Sequence, residues 1–361
     1  MKVIFFNHFI SGGGAERVTS LLSKQFVEDG YEVKLVTDVY YPFAYKFDER
    51  VEVLPLFKKN GQRDSKLSIL WMIRNCRKHI KREKADILIG ILPWMTFTIY
   101  LASLGLKTKI IASDHTSVDR PVRWHIKLIK KYIYPRVSAV TLLTETDAKI
   151  IGDKLLNKHV MPNPLTFPVI SDYNNQRRTN ILAVGRLDVW KVKGFDLLIK
   201  AWAKICNKYP EWKLEVAGTG SDEAIKQIIQ MADENGITKQ FELLGFRKDI
   251  DCIMRDSSVF ALTSRIEGFG MVLIEAMSQG CACVSFDNGG RQREIITKEK
   301  EGFVIENYDI DEFAQKLSVL ISYPQIRRDI AIEGSKRASA YNLPIIAKRW
   351  EELFNMLKKI I

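Results

Sequence analysis

The order of short apolar runs along this chain is the feature that most restricts its fold. Runs rich in β-branched and aromatic residues alternate with segments of helical periodicity, and the pattern restarts after the polar stretch SDYNNQRRTN at 171–180. Such alternation specifies parallel sheets with helices on both faces, which is the α/β class. Because 361 residues fit two cores better than one, we predict two similar domains, at 1–168 and 176–343.

A last helix is predicted at 344–361, with a proline in its first turn. Its large apolar residues Trp350, Phe354 and Leu357 recur at helical spacing and so share one face. A return of this helix to the first domain would bury that face, although spacing alone does not fix the arrangement.

The twenty residues between Asp86 and Lys107 carry no charge and have the length of a membrane span. Pro93 interrupts them, however, and several hydroxyl side chains dilute them. We interpret the stretch instead as a strand, DILIGIL, followed by a turn and a helix, TFTIYLASLGL.

The five cysteines are an odd number without the spacing of a disulfide framework or a metal site, which indicates a reducing compartment such as the cytoplasm. Net charge is +12 and lies almost wholly in residues 1–170, which hold 27 basic and 16 acidic side chains. We therefore expect an anionic partner for the first half of the chain.

Two basic segments, at 66–84 and 120–136, hold much of this excess, and both are predicted helices. In the second, the charged and the apolar side chains occupy different sides of the helix, namely Arg123, Lys127, Lys130 and Lys131 against Trp124, Leu128 and Tyr132. Three interpretations remain: an ordinary solvated face, an anionic membrane surface, or nucleic acid. Nucleic acid is the weakest, because no recognised binding motif accompanies the charge.

Two glycine-rich turns follow predicted strands and precede predicted helices. The first contains Gly13 and Gly14, and the second contains Gly218. Glycine permits tight backbone geometry, and free amides at a helix start attract anions. Neither turn is a dinucleotide fingerprint, so a nicotinamide enzyme is a minor alternative. The pair suggests a phosphate-bearing nucleotide, with simple tight turns as the competing interpretation.

The most specific segment is TSRIEGFGMVLIEAMSQGC, at 263–281. Glu267 and Glu275 flank a loop of Gly268, Phe269 and Gly270 and the first part of a predicted helix. Amides at that helix start suit a diphosphate, and the second carboxylate suits a pair of sugar hydroxyls.

With this segment, the chain resembles the retaining nucleotide-sugar glycosyltransferases of family 4. The resemblance extends over nearly the whole sequence, through GGGAERV, SDHTS, MPNP, VGRL, AGTGSDE and LLGF. It implies the GT-B fold, with two Rossmann-like domains facing across a cleft.

The resemblance also implies roles for individual residues. Gly13 and Gly14 would lie near the donor phosphates or the acceptor, Arg186 and Lys193 would neutralise the diphosphate, and His115 would lie beside the donor sugar. Glu267 would contact the transferred sugar and Glu275 the ribose, while Gly218, Gly245, Phe246, Gly268, Phe269 and Gly270 complete the expected donor-binding set.

Two details of the motifs qualify these assignments. The spacing from Arg186 to the lysine before Gly194 is longer than in the family, so Lys191 is an alternative to the favoured Lys193. Asp249 and Asp251 spell the D-x-D of metal-dependent enzymes, but a turn and a helix start explain them better, and no metal or other cofactor is expected.

The resulting hypothesis is a retaining transferase that moves a hexose or N-acetylhexosamine from a nucleotide diphosphate donor, expected to be UDP-linked. A glycan on a polyprenyl diphosphate is the expected acceptor, as in surface polysaccharide biosynthesis, with the protein on the cytoplasmic face of the membrane. The alternatives are a transferase acting on a small soluble acceptor and a non-catalytic binding protein of the same fold.

Overall fold

The computed structural model describes residues 1–10, 12–171, 173, 176–306 and 308–359. Ser11 in the first glycine-rich turn, part of the polar stretch and the last two residues of the predicted final helix lie outside these ranges. The chain divides into two compact units, one of Met1–Thr166 with Leu343–Ile361 and the other of Phe167–Asn342.

The first unit contains a parallel sheet of seven strands in the order β3-β2-β1-β4-β5-β6-β7. The strands are β1 (Lys2–Phe6), β2 (Glu32–Thr37), β3 (Glu52–Pro55), β4 (Ile87–Ile91), β5 (Lys109–Ser113), β6 (Ala139–Leu142) and β7 (Lys158–Val160). The helices are α1 (Gly14–Glu28), α2 (Asn60–Arg63), α3 (Ser68–Glu83), α4 (Leu92–Ala102), α5 (Trp124–Tyr132) and α6 (Glu145–Ile151).

The second unit contains a parallel sheet of six strands in the order β10-β9-β8-β11-β12-β13. These are β8 (Arg178–Val184), β9 (Lys213–Ala217), β10 (Phe241–Gly245), β11 (Ser257–Leu262), β12 (Ala282–Phe286) and β13 (Phe303–Ile305). The helices are α7 (Trp190–Lys193), α8 (Phe195–Ala203), α9 (Asp222–Glu234), α10 (Ile250–Asp256), α11 (Met271–Ser278), α12 (Arg291–Ile295), α13 (Ile310–Ser322) and α14 (Pro324–Ala338).

The final helix, α15 (Leu343–Lys359), packs on α1 within the first unit. The Phe354 ring lies 5.3 Å from that of Phe26 on α1, and the Trp350 ring lies 6.4 Å from it, both edge-on. Trp350, Phe354 and Leu357 are all buried, so the apolar face inferred from their spacing is covered by the first unit.

The predicted α/β class with parallel sheets is confirmed, and the inner strands of both sheets are largely buried because helices cover both faces. The uncharged stretch forms β4 and α4, but no turn separates them, since the helix begins at Leu92 with Pro93 in its first turn. Among the described residues no helix has the length and apolarity needed to cross a bilayer.

The basic helix α5 is shorter than predicted. It contains only Trp124–Tyr132, while residues 120–123 precede it in non-helical backbone. Pro121 lies in this leading stretch, and the residue before a proline is disfavoured in helical conformation.

Candidate functional site

The second sheet reverses its strand order between β8 and β11, and most of the predicted donor residues follow the carboxyl ends of these strands. Such a switch point leaves a crevice at the sheet edge where α/β proteins bind ligands. Arg186 follows β8 in an exposed turn, and it forms no hydrogen bond or ion pair with any residue that the structure describes. Its guanidinium group is therefore available to an anion.

Lys193 and Glu267 come together at this edge. The Lys193 Nζ lies 2.7 Å from Glu267 Oε1, and the Ser264 hydroxyl donates to the same oxygen over 2.7 Å. Gly194 permits this approach, because its φ is +67° and a Cβ there would lie 1.8 Å from the Thr263 carbonyl oxygen. No other residue fits this contact.

Of the two candidate phosphate lysines, Lys193 is the one that pairs with Glu267. The residues that lengthen the spacing form a short 3-10 turn and α7, which places Lys193 beside Glu267. Lys191 instead lies over the Trp190 ring, with its Nζ 5.1 Å from the ring centroid. Whether either lysine binds a phosphate stays a prediction.

The turns after β8, β9 and β10 are joined by backbone hydrogen bonds. The Leu187 amide donates to the Thr219 carbonyl over 2.7 Å, and the Gly218 amide donates to the Gly245 carbonyl over 2.9 Å. A Cβ on Gly218 would lie 1.8 Å from the Gly185 carbonyl oxygen, so this turn requires glycine. The next residue after Gly245, Phe246, keeps 66% of its surface exposed at the same edge.

The residues of the two-glutamate segment differ in burial and backbone conformation. Gly270 precedes α11 with a φ of +97°, as a loop that enters a helix abruptly requires. Phe269 is only 3% exposed, and its ring meets the Tyr341 ring edge-on at 5.4 Å, so this residue packs in the core. Glu275 lies on α11 and is also 3% exposed, while Gly268 remains half-buried in the loop.

Two residues that the sequence analysis did not identify support the Glu267 loop. Ser264 donates to Glu267, and the buried Asn288 donates from Nδ2 to the Ser264 carbonyl over 2.9 Å. Asn288 Oδ1 is buried and has no partner among the described residues, a state that costs free energy unless a ligand or water satisfies it. In the sequence, Asn288 and the two glycines that follow it predict a turn after a strand, but they do not predict the contact between Asn288 and Ser264.

The glycine-rich turn of the first unit differs from its prediction. The Gly12 amide donates to the Glu16 carboxylate over 2.8 Å, and the Gly13 amide donates to the same oxygen. Glu16 thereby caps α1 from within, as its favourable position at a helix start would suggest. The expected free amide is thus absent at Gly13, and Gly14 serves as the first residue of α1.

His115 follows β5 at the carboxyl edge of the first sheet. Its Nε2 lies 3.0 Å from the Ser113 hydroxyl, and burial lowers the pKa of the His115 imidazole to about 4, despite the opposing effect of Asp114. The ring is consequently neutral at physiological pH.

The carboxylate of Asp114, next to His115, is compensated by the basic helix. Lys130 Nζ lies 2.7 Å from Asp114 Oδ2, and the Tyr134 hydroxyl donates to the same oxygen over 3.1 Å. Lys130 therefore differs from the exposed Lys127 and Lys131, because it pairs with a buried carboxylate at the sheet edge.

The D-x-D segment holds an ion pair of its own. The Arg247 guanidinium binds Asp249 through contacts of 3.0 and 2.7 Å, and these hydrogen bonds lower the pKa of Asp249. Within the described ranges no group of three or more potential metal ligands occurs.

Two parallel α/β units, with polar loops at the carboxyl edges of their sheets, define a protein of the GT-B class. Two protein families account for most of the chain: "Glycosyltransferase Family 4" matches residues 12–165, and "Glycosyl transferases group 1" matches residues 172–337. The chain belongs to the GT-B glycosyltransferases of the family 4 type.

Two relatives match over nearly their full length at modest identity. The amylovoran biosynthesis glycosyltransferase AmsD of Erwinia amylovora is 26% identical over 98% of this chain and 99% of its own. A Campylobacter jejuni N-acetylgalactosaminyltransferase, named for the acceptor GalNAc-alpha-(1->4)-GalNAc-alpha-(1->3)-diNAcBac-PP-undecaprenol, is 24% identical over 99% of both chains.

Among solved structures, Anabaena HepE in complex with UDP superposes with a TM-score of 0.82 at 18% identity, covering 99% of this chain and 100% of its own. At this identity the likeness supports the fold alone.

Proposed function

We propose that this glycosyltransferase is retaining and transfers a hexose or N-acetylhexosamine from a UDP-linked donor. The observation that carries the donor assignment is the exposed Arg186, unpaired among the described residues, at the same switch point as the Lys193–Glu267 pair. The presence of UDP in the structure of Anabaena HepE is further support for the choice of base.

Departure of UDP concentrates negative charge on the diphosphate. Arg186 and Lys193 would meet that charge, together with the amides at the start of α11, and such preorganised groups stabilise a leaving group. Glu267 would contact the transferred sugar. For retention, the bond from the anomeric carbon to UDP breaks while the acceptor oxygen bonds to the same face, and the acceptor proton passes to the departing phosphate.

Nucleotide binding tests the donor assignment directly. A ligand that binds only the folded state raises the thermal unfolding midpoint, and we expect UDP and UDP-sugars to raise it without added magnesium. GDP and ADP serve as matched controls. Equal shifts of the midpoint with UDP, GDP and ADP would contradict the assignment of uridine as the nucleoside of the donor. No shift with any of the three would favour a non-catalytic protein.

We further propose that the acceptor is a glycan on a polyprenyl diphosphate, met at the cytoplasmic membrane surface. The name of the Campylobacter relative describes such an acceptor. On this chain, α5 exposes an apolar stripe of three residues, with Trp124 72%, Leu128 44% and Tyr132 47% exposed. Lys127 and Lys131 are exposed on the same helix. Exposed apolar residues among cations are the pattern of an interfacial helix.

A single substitution on this stripe tests the membrane surface. Trp124→Ser should weaken partitioning onto phosphatidylglycerol vesicles by about tenfold, because an indole no longer enters the interface. Leu156→Ser is the matched control, since Leu156 is 84% exposed in the same unit but lies outside α5. Sedimentation with anionic and with neutral vesicles measures both variants. Equal partitioning onto the two kinds of vesicle would favour a soluble small-molecule acceptor.

A further inference from the structure

A cavity opens at the amino-terminal edge of the second sheet, opposite the carboxyl edge that holds the predicted donor residues. It has a volume of about 250 Å³ and is lined in part by Arg177, Ser258, Gly280, Arg327 and Arg328. Arg177 precedes β8, Ser258 lies at the start of β11, and Gly280 precedes β12. The cavity therefore lies at the amino ends of the strands, about 15–20 Å from the carboxyl edge that holds Arg186, given the rise per strand residue.

Neutral backbone oxygens hold two of the three arginines in place. Arg177 donates to the carbonyls of Ser257 and Gln279, over 2.9 Å in each case. Arg327 donates to the Leu320 carbonyl over 2.6 Å, and its guanidinium lies 5.3 Å from the centroid of the Trp212 ring. These contacts fix the orientation of the guanidinium groups without neutralising them.

No carboxylate among the described residues compensates this cluster. Arg328 is exposed and, like Arg177 and Arg327, forms no ion pair with any described residue. Burial lowers the pKa of Arg327, and no acidic group opposes the shift. By contrast, other arginines of this unit pair with carboxylates, as in Arg178–Glu215, Arg247–Asp249 and Arg265–Asp196. The nearest acid in sequence, Asp329, accepts a hydrogen bond from Gln325.

We propose that this cavity is a second anion site, which binds a phosphate-bearing ligand distinct from the donor. Guanidinium groups match phosphate oxygens in charge and geometry. The cavity also meets the first turn of the fifteen-residue helix α14, whose Pro324 and Gln325 line it and whose amino terminus favours negative charge. The inference rests on the second unit alone and is independent of the proposed function.

The cavity also joins residues near the amino end of β8 to α14. Tyr173 lines it and donates from its hydroxyl to the Ala331 carbonyl on α14 over 3.0 Å. A bound phosphate bridging Arg177 and Arg328 would link the residue that precedes β8 to α14.

The test is calorimetric titration of the full chain with inorganic pyrophosphate at constant ionic strength. We expect Arg328→Gln to weaken one binding event by about tenfold, and this variant should fold normally because its side chain is exposed and forms no ion pair with a described residue. Arg177→Lys, which retains the charge but loses the fork of donors, should weaken the same event less. Arg349→Gln, which removes an exposed charge from α15, is the matched control. Arg186→Ala serves to identify any separate binding of pyrophosphate at the carboxyl edge of the sheet, where the donor is proposed to bind.

Phosphatidylglycerol vesicles form the second arm of the experiment. Loss of pyrophosphate binding in Arg328→Gln supports a free phosphate compound, whereas loss confined to vesicle binding supports a lipid headgroup. Wild-type binding by Arg328→Gln in both arms, or an equal loss in Arg349→Gln, overturns the second site. Wild-type pyrophosphate binding by Arg186→Ala would instead contradict the donor assignment. It would leave the result for Arg328 unchanged.

Discussion

Arg186→Ala should lower kcat for sugar transfer by about 10²- to 10³-fold, the usual loss when one preorganised donor to a developing charge is removed. The side chain forms no hydrogen bond or ion pair with a described residue, so the unfolding midpoint should stay close to that of the wild type. Initial rates with a UDP-sugar, compared with thermal unfolding of the same preparation, measure the two effects separately.

The matched control for this variant is Arg349→Ala, which removes an exposed arginine from α15 in the first unit. Its transfer rate should equal that of the wild type. A wild-type transfer rate in folded Arg186→Ala would show that this residue does not stabilise the leaving diphosphate. Lys193 would then be the remaining cation proposed for that role.

Gly218→Ala should destabilise the second unit by about 3 kcal/mol or more, because the added methyl group has no space. Its carbon would lie 1.8 Å from the Gly185 carbonyl oxygen, and backbone hydrogen bonds from the Gly185 and Gly218 amides hold both residues in place. The turn carrying Arg186 must then move, so transfer activity should fall as well. Urea unfolding followed by circular dichroism gives the change in free energy.

Alanine substitutions at two other glycines distinguish the steric cost of an added methyl group from the conformational cost of a positive φ. Gly61 lies in α2 without a positive φ, and an added methyl carbon would meet no described atom within 4 Å, so Gly61→Ala should change stability by less than about 1 kcal/mol. Gly236 has the same open space but a φ of +70°, so Gly236→Ala should cost about 1 kcal/mol. Equal losses at all three positions would contradict the steric explanation for Gly218.

The sequence was sufficient for the α/β class because strand and helix periodicities differ and recur many times along the chain. Local signals also located individual elements, such as α9, where Ser221 accepts the Ala224 amide as the predicted helix start requires. Element boundaries were less accurate. Around Pro93 and Pro121 the backbone restriction is visible in the sequence, but its effect on the adjoining helix depends on the tertiary fold.

Several contacts at the site join residues that are distant in sequence, and residue spacing along the chain does not predict such contacts. Lys130 has the periodicity of a surface residue, yet Asp114 draws it to the sheet edge. Phe269 occurs in a glycine-rich loop, yet Tyr341 covers its ring. The support that Asn288 gives to Ser264 likewise joins loops after different strands. Motif resemblance predicts which residues belong to the site, whereas their contacts in the structure depend on the tertiary fold.

The packing of α15 on α1 has a consequence for synthesis of the protein on the ribosome. Two of the aromatic rings that contact Phe26, those of Trp350 and Phe354, are translated after the entire second unit. At ordinary elongation rates of about 5–20 residues per second, that delay amounts to roughly 10–40 s. During this interval the nascent first unit lacks the part of its aromatic core that α15 supplies.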